Sequence, residues 1–155
     1  RHRIGGLEKA DITGDVCYVP ENHQRMIDLR AQKVANVIHD VPDQDVFGDE
    51  SGPLLLVSWG GTFGAVRTAA ERAREDGQPV AHVHLRWLNP MPRNLGDILK
   101  RFDKILVCEL NMGQLQLMLR GRYLVDACGL HKMQGRPFMV SEIRDKINEL
   151  LGGAA

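Results

Sequence analysis

The chain has 155 residues with 20 basic and 20 acidic side chains, a balance that gives a sequence pI of about 7.2. This length suits one domain, and the balanced charge argues against a nucleic-acid-binding surface, which needs clustered basic side chains. No apolar run approaches the roughly 20 residues of a transmembrane helix, and the N-terminus lacks the apolar region of a signal peptide.

The cysteines indicate a reducing compartment. Cys17, Cys108 and Cys128 are odd in number and form no CxxC spacing. Disulfide frameworks and iron–sulfur motifs need paired or clustered cysteines. We therefore expect a cytoplasmic chain with neither.

The sequence pattern of the first third of the chain predicts an irregular leader (residues 1–20), a helix and a connection. Residues 20–40 follow a helical pattern, with one apolar stripe at Ile27, Ala31, Val34 and Ile38. Residues 41–53 are an acidic connection punctuated by Gly and Pro. We expect residues 1–40 to be a linker and N-terminal helix, and residues 41–155 to be a single globular domain.

The remaining sequence alternates between strand and helix patterns. Strands are predicted at 54–58, 80–85 and 105–110, with a weaker edge strand at 130–134. Helices are predicted at 65–76, near 95–102, after Met112 and from an N-cap at Ser141. Beyond the first of these helices, the side chains predicted to face inward are Leu95, Ile98, Leu99, Phe102, Leu115, Met118, Leu119, Tyr123, Ile143, Ile147, Leu150 and Leu151. This alternation predicts a three-layer α/β fold with a mostly parallel sheet of about four to five strands.

The first predicted strand ends in the Gly60 turn, residues 59–64. This turn lacks the second glycine of a dinucleotide fingerprint, and the sequence has no Walker GK[ST]. Ser58 is not a nucleophile-elbow serine, because the required glycine two residues before it is missing. Two interpretations stay open. The glycines permit a tight turn, or backbone N–H groups at the start of the following helix meet an anion or a partner's carbonyl. Ser58, Gly60, Gly61 and Thr62 are therefore candidates for an interface or loop role.

Two histidines lie on one face of the second predicted strand. His82 and His84 are two residues apart, but no third metal ligand has an evident spacing. We expect satisfied core or edge histidines rather than a metal site. Cys108, inside an apolar strand, is expected to be a small buried hydrophobe.

The third predicted strand ends in the Asn111 turn, residues 109–114, which combines an acid, two amides and a glycine. Asn111 could be a helix N-cap, with Gln114 as its reciprocal partner in a capping box. Alternatively, Glu109, Asn111, Gly113 and Gln114 offer polar groups for subunit contacts or for shaping a neighbouring site. The sequence leaves both interpretations open.

These motifs, in this order, resemble one known family. The residues that carry the resemblance are Gly6, Leu7, Glu8, Pro20, Glu21, Asn22, His23, Met26, Arg30, residues 57–62, Gly64, residues 88–92, residues 109–115, residues 135–138, Glu142 and Ile143. Across nearly its whole length the sequence resembles the C-terminal, transketolase-C-terminal-like domain of the α subunit of 2-oxoacid:ferredoxin oxidoreductases, especially the 2-oxoglutarate type.

The resemblance implies part of an enzyme that oxidatively decarboxylates a 2-oxoacid, transfers the acyl group to coenzyme A and passes electrons to ferredoxin. In that family thiamine diphosphate, Mg²⁺ and an iron–sulfur cluster are held by other domains. The resemblance therefore implies a chain with no cofactor of its own, inactive alone. Its partners would be the preceding α-subunit domain, the β subunit and a second αβ unit, with the Gly60 and Asn111 turns near the interface.

Two other interpretations stay open from sequence. One is a free-standing anion- or ligand-binding regulatory module. The other is the equivalent domain of a transketolase or a pyruvate-dehydrogenase-type enzyme, which shares the fold.

Overall fold

The computed structural model describes residues 5–152, which fall into two compact units, residues 5–42 and residues 43–152. The prediction that residues 1–40 link this domain to another one stays a prediction. Within residues 5–152, no helix is both long enough and apolar enough to cross a membrane.

The first unit is built around one helix, α1 (Pro20–Asn36), which continues as a 3₁₀ turn at Val37–His39. Proline suits the first helical turn, where a backbone N–H has no partner to lose. Ahead of the helix, Lys9 and Val16 form an isolated antiparallel bridge. No residue of α1 is buried.

The second unit alternates strands and helices. Its elements are β1 (Gly52–Trp59), α2 (Phe63–Glu75), β2 (Val80–Leu85), α3 (Leu95–Leu99), β3 (Phe102–Glu109), α4 (Gln114–Tyr123), β4 (Ala127–His131) and α5 (Val140–Gly152). All strand pairs are parallel, in the order β2-β1-β3-β4. The predicted α/β fold with a parallel sheet of about four strands is confirmed.

Alternate residues of each strand belong to two hydrophobic clusters, one on each face of the sheet. Leu55 and Val57 pack with α3 and α4 on one face, while Leu54 and Leu56 pack with α2 and α5 on the other. Buried parallel strands need apolar side chains on both faces, which is why β1 reads as an unbroken apolar run. Helices cover both faces, so the unit has three layers.

Several local predictions are wrong. Phe102 begins β3 instead of ending a helix, and Met118 is 43% exposed instead of buried. The last strand begins at Ala127, three residues before its predicted start. Ser141 lies inside α5, and the Glu142 carboxylate, three residues after Met139, accepts the Met139 backbone N–H over 2.7 Å. The backbone N–H group at the start of α5 thus donates to a carboxylate instead of a serine hydroxyl.

The strand order creates a topological switch point between β1 and β3. From β1 the chain leaves through α2 to one face of the sheet, and from β3 it leaves through α4 to the other face. The connections therefore separate at the carboxyl ends of these two neighbouring strands. In open α/β sheets a crevice forms at this point, and ligands or partners are met there.

Candidate interaction site at the carboxyl edge of the sheet

The Gly60 and Asn111 turns lie side by side at this switch point. Ser58 is in register with Cys108, so the next residues, Trp59 and Glu109, end their strands together. The Trp59 indole Nε1 donates a hydrogen bond to Oε2 of Glu109 over 3.3 Å. Between the turns is a cleft of about 280 Å³, lined by Trp59, Gly60, Gly61, Thr62, Leu110 and Asn111.

The Gly60 turn is tight and held by its own threonine. Gly60 has a φ of +55°, which glycine adopts without the strain a side chain would cause, and Gly60–Thr62 forms a 3₁₀ turn. The Thr62 hydroxyl donates to the Trp59 carbonyl over 2.8 Å and accepts from the Trp59 N–H over 3.2 Å. Thr62 therefore closes the turn, and its buried side chain leaves the glycines at the cleft surface.

Two side chains of the Asn111 turn satisfy the N-terminus of α4. Glu109 is fully buried, and its carboxylate accepts the backbone N–H groups of Leu115 over 2.8 Å and Gln116 over 2.9 Å. The Asn111 side-chain oxygen accepts the N–H groups of Gly113 over 2.8 Å and of the following residue over 3.3 Å. Four consecutive N–H groups at a helix start otherwise lack partners. Glu109 and Asn111 together provide hydrogen-bond acceptors for all four.

Gly113 and Gln114 have more limited roles in this geometry. Gly113 has a φ of +95°, and an added Cβ would lie 2.6 Å from Cε1 of His131. Gln114 is exposed and is the first residue of α4. The capping-box prediction is therefore wrong in its positions, because Gly113 and not Asn111 is the N-cap of α4, and Gln114 is the first helical residue. The Asn111 side chain still accepts two N–H groups at the helix start.

Ser58 lies beneath the Gly60 turn, between the two histidines of β2. Its Oγ is 2.7 Å from Nε2 of His82 and 2.8 Å from Nδ1 of His84. Phe63 covers both rings, with centroid distances of 6.1 and 4.9 Å. The buried hydroxyl thus contacts one ring nitrogen of each imidazole, while Nδ1 of the buried His82 has no partner among the described residues. The expectation of core histidines is right for their placement but wrong for His82 as a fully satisfied side chain.

The titratable groups near this cluster are held in their neutral forms. Burial, and secondarily the charge of Arg67, lowers the pKa of His82 to about 3. Burial also lowers the pKa of His84, with help from Arg86. On the neighbouring strand, burial raises the pKa of the Cys108 thiol to about 12. None of these groups is poised to exchange a proton near neutral pH.

A second groove adjoins the cleft across Leu110. It has a volume of about 260 Å³ and is lined by Leu110, Lys132, Met133, Gly135, Arg136 and Pro137. The buried Lys132 ammonium donates to both carboxylate oxygens of Glu142 over 2.8 and 2.7 Å and to the Pro137 carbonyl over 3.0 Å. Sequence reasoning missed this pair, because its members are ten positions apart and this separation gave no helical spacing signal.

The chemistry of the cleft is that of a contact surface. No ionisable side chain lines it, and both Glu109 oxygens already accept N–H groups. Residues 5–152 also contain no group of three or more His, Cys, Asp or Glu side chains placed to hold a metal ion. The sequence analysis did not single out Trp59 or Leu110 as candidates, although Trp59 directly follows one predicted strand and Leu110 is the last residue of another. An indole and an isobutyl group beside two glycines suit contact with a neighbouring chain.

Fold and site together define a three-layer α/β domain with an uncharged cleft at its switch point. Comparison with known families places it more narrowly. Residues 53–143 match the family model described as pyruvate:ferredoxin oxidoreductase core domain II, which is more than half of the chain. The chain therefore belongs to the core domain II family of pyruvate:ferredoxin oxidoreductase.

Individual relatives agree with this assignment. The 2-oxoglutarate oxidoreductase subunit KorA of Mycobacterium tuberculosis is 46% identical over 98% of this chain, which spans 23% of that protein. The α subunit of 2-oxoacid:ferredoxin oxidoreductase 1 of Aeropyrum pernix is 29% identical over 93% of this chain and is matched over 24% of its own length. The chain thus spans about a quarter of the curated relatives it matches.

A solved structure agrees as well. The 2-oxoglutarate:ferredoxin oxidoreductase of Magnetococcus marinus, solved with 2-oxoglutarate, coenzyme A and succinyl-CoA bound, superposes with a TM-score of 0.86 at 28% identity. The match covers 97% of this chain and 27% of that chain. The resemblance to an α-subunit domain of the 2-oxoacid:ferredoxin oxidoreductases is confirmed.

Proposed function

We propose that this chain is a non-catalytic domain in the α subunit of a thiamine-diphosphate-dependent oxidoreductase, which decarboxylates 2-oxoglutarate, acylates coenzyme A and reduces ferredoxin. Its task there is to join the α subunit to the β subunit and to help shape the neighbouring active site. The choice of 2-oxoglutarate is supported by the 46% identity to KorA, a 2-oxoglutarate oxidoreductase subunit.

The observation that carries the assembly role is the uncharged cleft between the two turns. It lies at the switch point, and its lining combines two large apolar side chains and glycine backbone with the uncharged Thr62 and Asn111. Met112, beside it, is 78% exposed. Exposed methionines adapt to the shape of a partner surface, and buried apolar contacts dominate the centres of stable interfaces. Ser58, Thr62 and Glu109 support this surface from below, because each is buried and hydrogen-bonded.

The described residues do not fit the cofactors of the complete enzyme. A diphosphate with Mg²⁺ needs carboxylate or amide oxygens free to bind the metal, and Glu109 has neither oxygen free. An iron–sulfur cluster needs several thiolates, whereas Cys108 is buried with a raised pKa. These observations support the proposal that thiamine diphosphate, Mg²⁺ and the cluster are held elsewhere in the complex. Alone, the chain should neither bind thiamine diphosphate in calorimetry nor reduce a dye with 2-oxoglutarate.

The proposed partners follow from the same assignment. They are the preceding domain of the α subunit, the β subunit and a second αβ unit, with ferredoxin and coenzyme A bound by the complex. All three cysteines are free thiols, which supports a cytoplasmic location.

The assembly role is tested with the full-length α and β subunits. Met112→Asp places a charge on the proposed contact surface without disturbing the domain core. We expect at least a roughly tenfold weaker α–β association, about 1.4 kcal/mol, in sedimentation velocity. The matched control is Leu124→Asp, which is 89% exposed and follows the other end of α4.

Both variants should melt at the wild-type temperature, because neither side chain is part of the core. Wild-type association by Met112→Asp would overturn the assembly role. Equal weakening by Leu124→Asp would show that the carboxyl edge has no special part in it.

A further inference from the structure

Helix α1 carries an apolar surface that is open to solvent. Ile27, Ala31 and Val34 lie within about 60° of arc around the helix and form the α1 stripe. Ile27 and Val34 are each 44% exposed, and no residue of the helix is buried. In a globular protein such a stripe normally faces a core, because burial of its apolar area is what stabilises the helix.

The first unit is held together by polar contacts. The Glu8 carboxylate accepts hydrogen bonds from the Arg30 guanidinium over 3.2 and 3.1 Å and lies 2.6 Å from Nδ1 of His23. Asp11 accepts from Nε of Arg25 over 2.5 Å. These ion pairs are exposed or half-buried, and such pairs contribute little net stability. They orient the leader on the helix without providing a core.

Among the apolar side chains of residues 5–42 only Val41 is buried, so this unit has no core of its own. Eight large ones are exposed: Leu7, Ile12, Tyr18, Val19, Ile27, Leu29, Val34 and Val37. Units near 40 residues usually need a disulfide, a metal or a partner to fold. Cys17 is a free thiol, and no metal-ligand group occurs among residues 5–42. This leaves a partner as the source of stability.

We propose that the α1 stripe docks on an apolar surface of the same longer subunit, outside these 155 residues. The proposal rests on the proposed function, in which the chain is one domain of that subunit. The relatives are long enough to supply such a surface, because this chain covers only 23% of KorA and 27% of the solved chain. A surface tethered on the same polypeptide acts at millimolar effective concentration, an advantage that a second copy lacks.

Amide hydrogen exchange in the full-length subunit gives the first test. Docking should slow exchange across residues 27–36 by at least roughly tenfold relative to the 155-residue chain, because a covered helix opens less often. Equal exchange rates in the two proteins would overturn the proposal.

Substitution within the helix gives a matched comparison. Val34→Asp should lower the melting temperature of the full-length subunit by several degrees, because it places a charge in an apolar contact. Leu29→Asp is the control: it is 39% exposed but lies about 200° from Ile27, on the opposite side of the helix. Equal losses from both variants would mean that the stripe has no special role.

Cross-linking identifies the surface on which the α1 stripe docks. Val34→Cys, labelled with a short photoreactive cross-linker in the full-length α subunit without the β subunit, should join to residues of the same subunit outside this chain. Links to residues 43–152, to a second copy or to nothing would each overturn the proposal. The β subunit is absent from this experiment, so its result is independent of the Met112→Asp test of assembly.

Discussion

Trp59 and Glu109 end adjacent strands, and the indole of the first donates a hydrogen bond to the carboxylate of the second over 3.3 Å. The same carboxylate accepts the N–H groups of Leu115 and Gln116 at the start of α4. One buried acid therefore links the Gly60 turn, the Asn111 turn and the start of helix α4. The shape of the cleft depends on this acid.

Glu109→Gln should destabilise the chain by about 1–3 kcal/mol. The amide nitrogen cannot accept, so at least one of the three donors, which are buried or part-buried, loses its partner. Urea unfolding followed by far-UV circular dichroism measures the loss. Glu71→Gln, on the exposed surface of α2, should stay within about 0.5 kcal/mol of wild type. A Glu109→Gln variant as stable as wild type would contradict the assigned hydrogen bonds.

Asn111→Ala should cost about 1 kcal/mol, because the N–H groups of Gly113 and Gln114 lose their side-chain acceptor. Asn111→Asp keeps the acceptor and adds a negative charge near a helix N-terminus, so it should match or exceed wild-type stability. The two variants differ mainly in the acceptor, and guanidinium unfolding separates them. Equal destabilisation would show that capping is not the role of this side chain.

Stability should decrease as the pH falls from 6.5 toward 5. The folded pKa of His82 is lowered to about 3, and Nδ1 of this residue has no partner among the described residues. Below pH 6.5 His82 therefore binds a proton in the unfolded chain but stays neutral in the folded chain. The pKa of His84 is also lowered, so this residue acts in the same direction. His82 contributes up to about 1.4 kcal/mol per pH unit.

His82→Gln should flatten this pH dependence, because glutamine can still contact Ser58 but does not titrate. Urea midpoints at pH 7.5, 6.5 and 5.5 are the measurement. If the wild-type and His82→Gln midpoints fall in parallel, the buried histidine does not cause the slope.

Two glycines beside or within α4 should respond oppositely to alanine. Gly113→Ala should destabilise the chain by at least about 1 kcal/mol, because the φ of +95° is strained for alanine and the new Cβ would lie 2.6 Å from His131. Gly121→Ala meets open space inside a helix and should stabilise it by about 0.5–1 kcal/mol. Thermal melts compare them directly, and shifts of the same sign would refute this account.

The strands were predictable because each core strand is a short apolar run, and the parallel order followed from the alternation of strands and helices. The start of β4 was missed because Ala127 and Cys128 give little apolar signal. The sequence pattern predicts Met118 on the inward face of α4 with Leu115 and Leu119, but only those two leucines are buried, so the apolar arc of the helix is narrower than the pattern suggests.

The nearness of the two turns was also predictable, since adjacent parallel strands end at one edge. The hydrogen bonds that join the two turns were not predictable. Whether the Glu109 side chain turns toward Trp59 and α4 depends on strand register and packing, which no local pattern encodes. The Ser58 contacts with both histidines likewise need two strands in exact alignment, with Ser58 opposite His84.

The lining of the cleft contains no ionisable group, and this has a consequence for any neighbour seated there. Dissolved ions weaken attraction between charges but leave contacts between uncharged surfaces largely intact. A junction formed through Trp59 and Leu110 should therefore persist as sodium chloride is raised, and kosmotropic salts such as sulfate should tighten it.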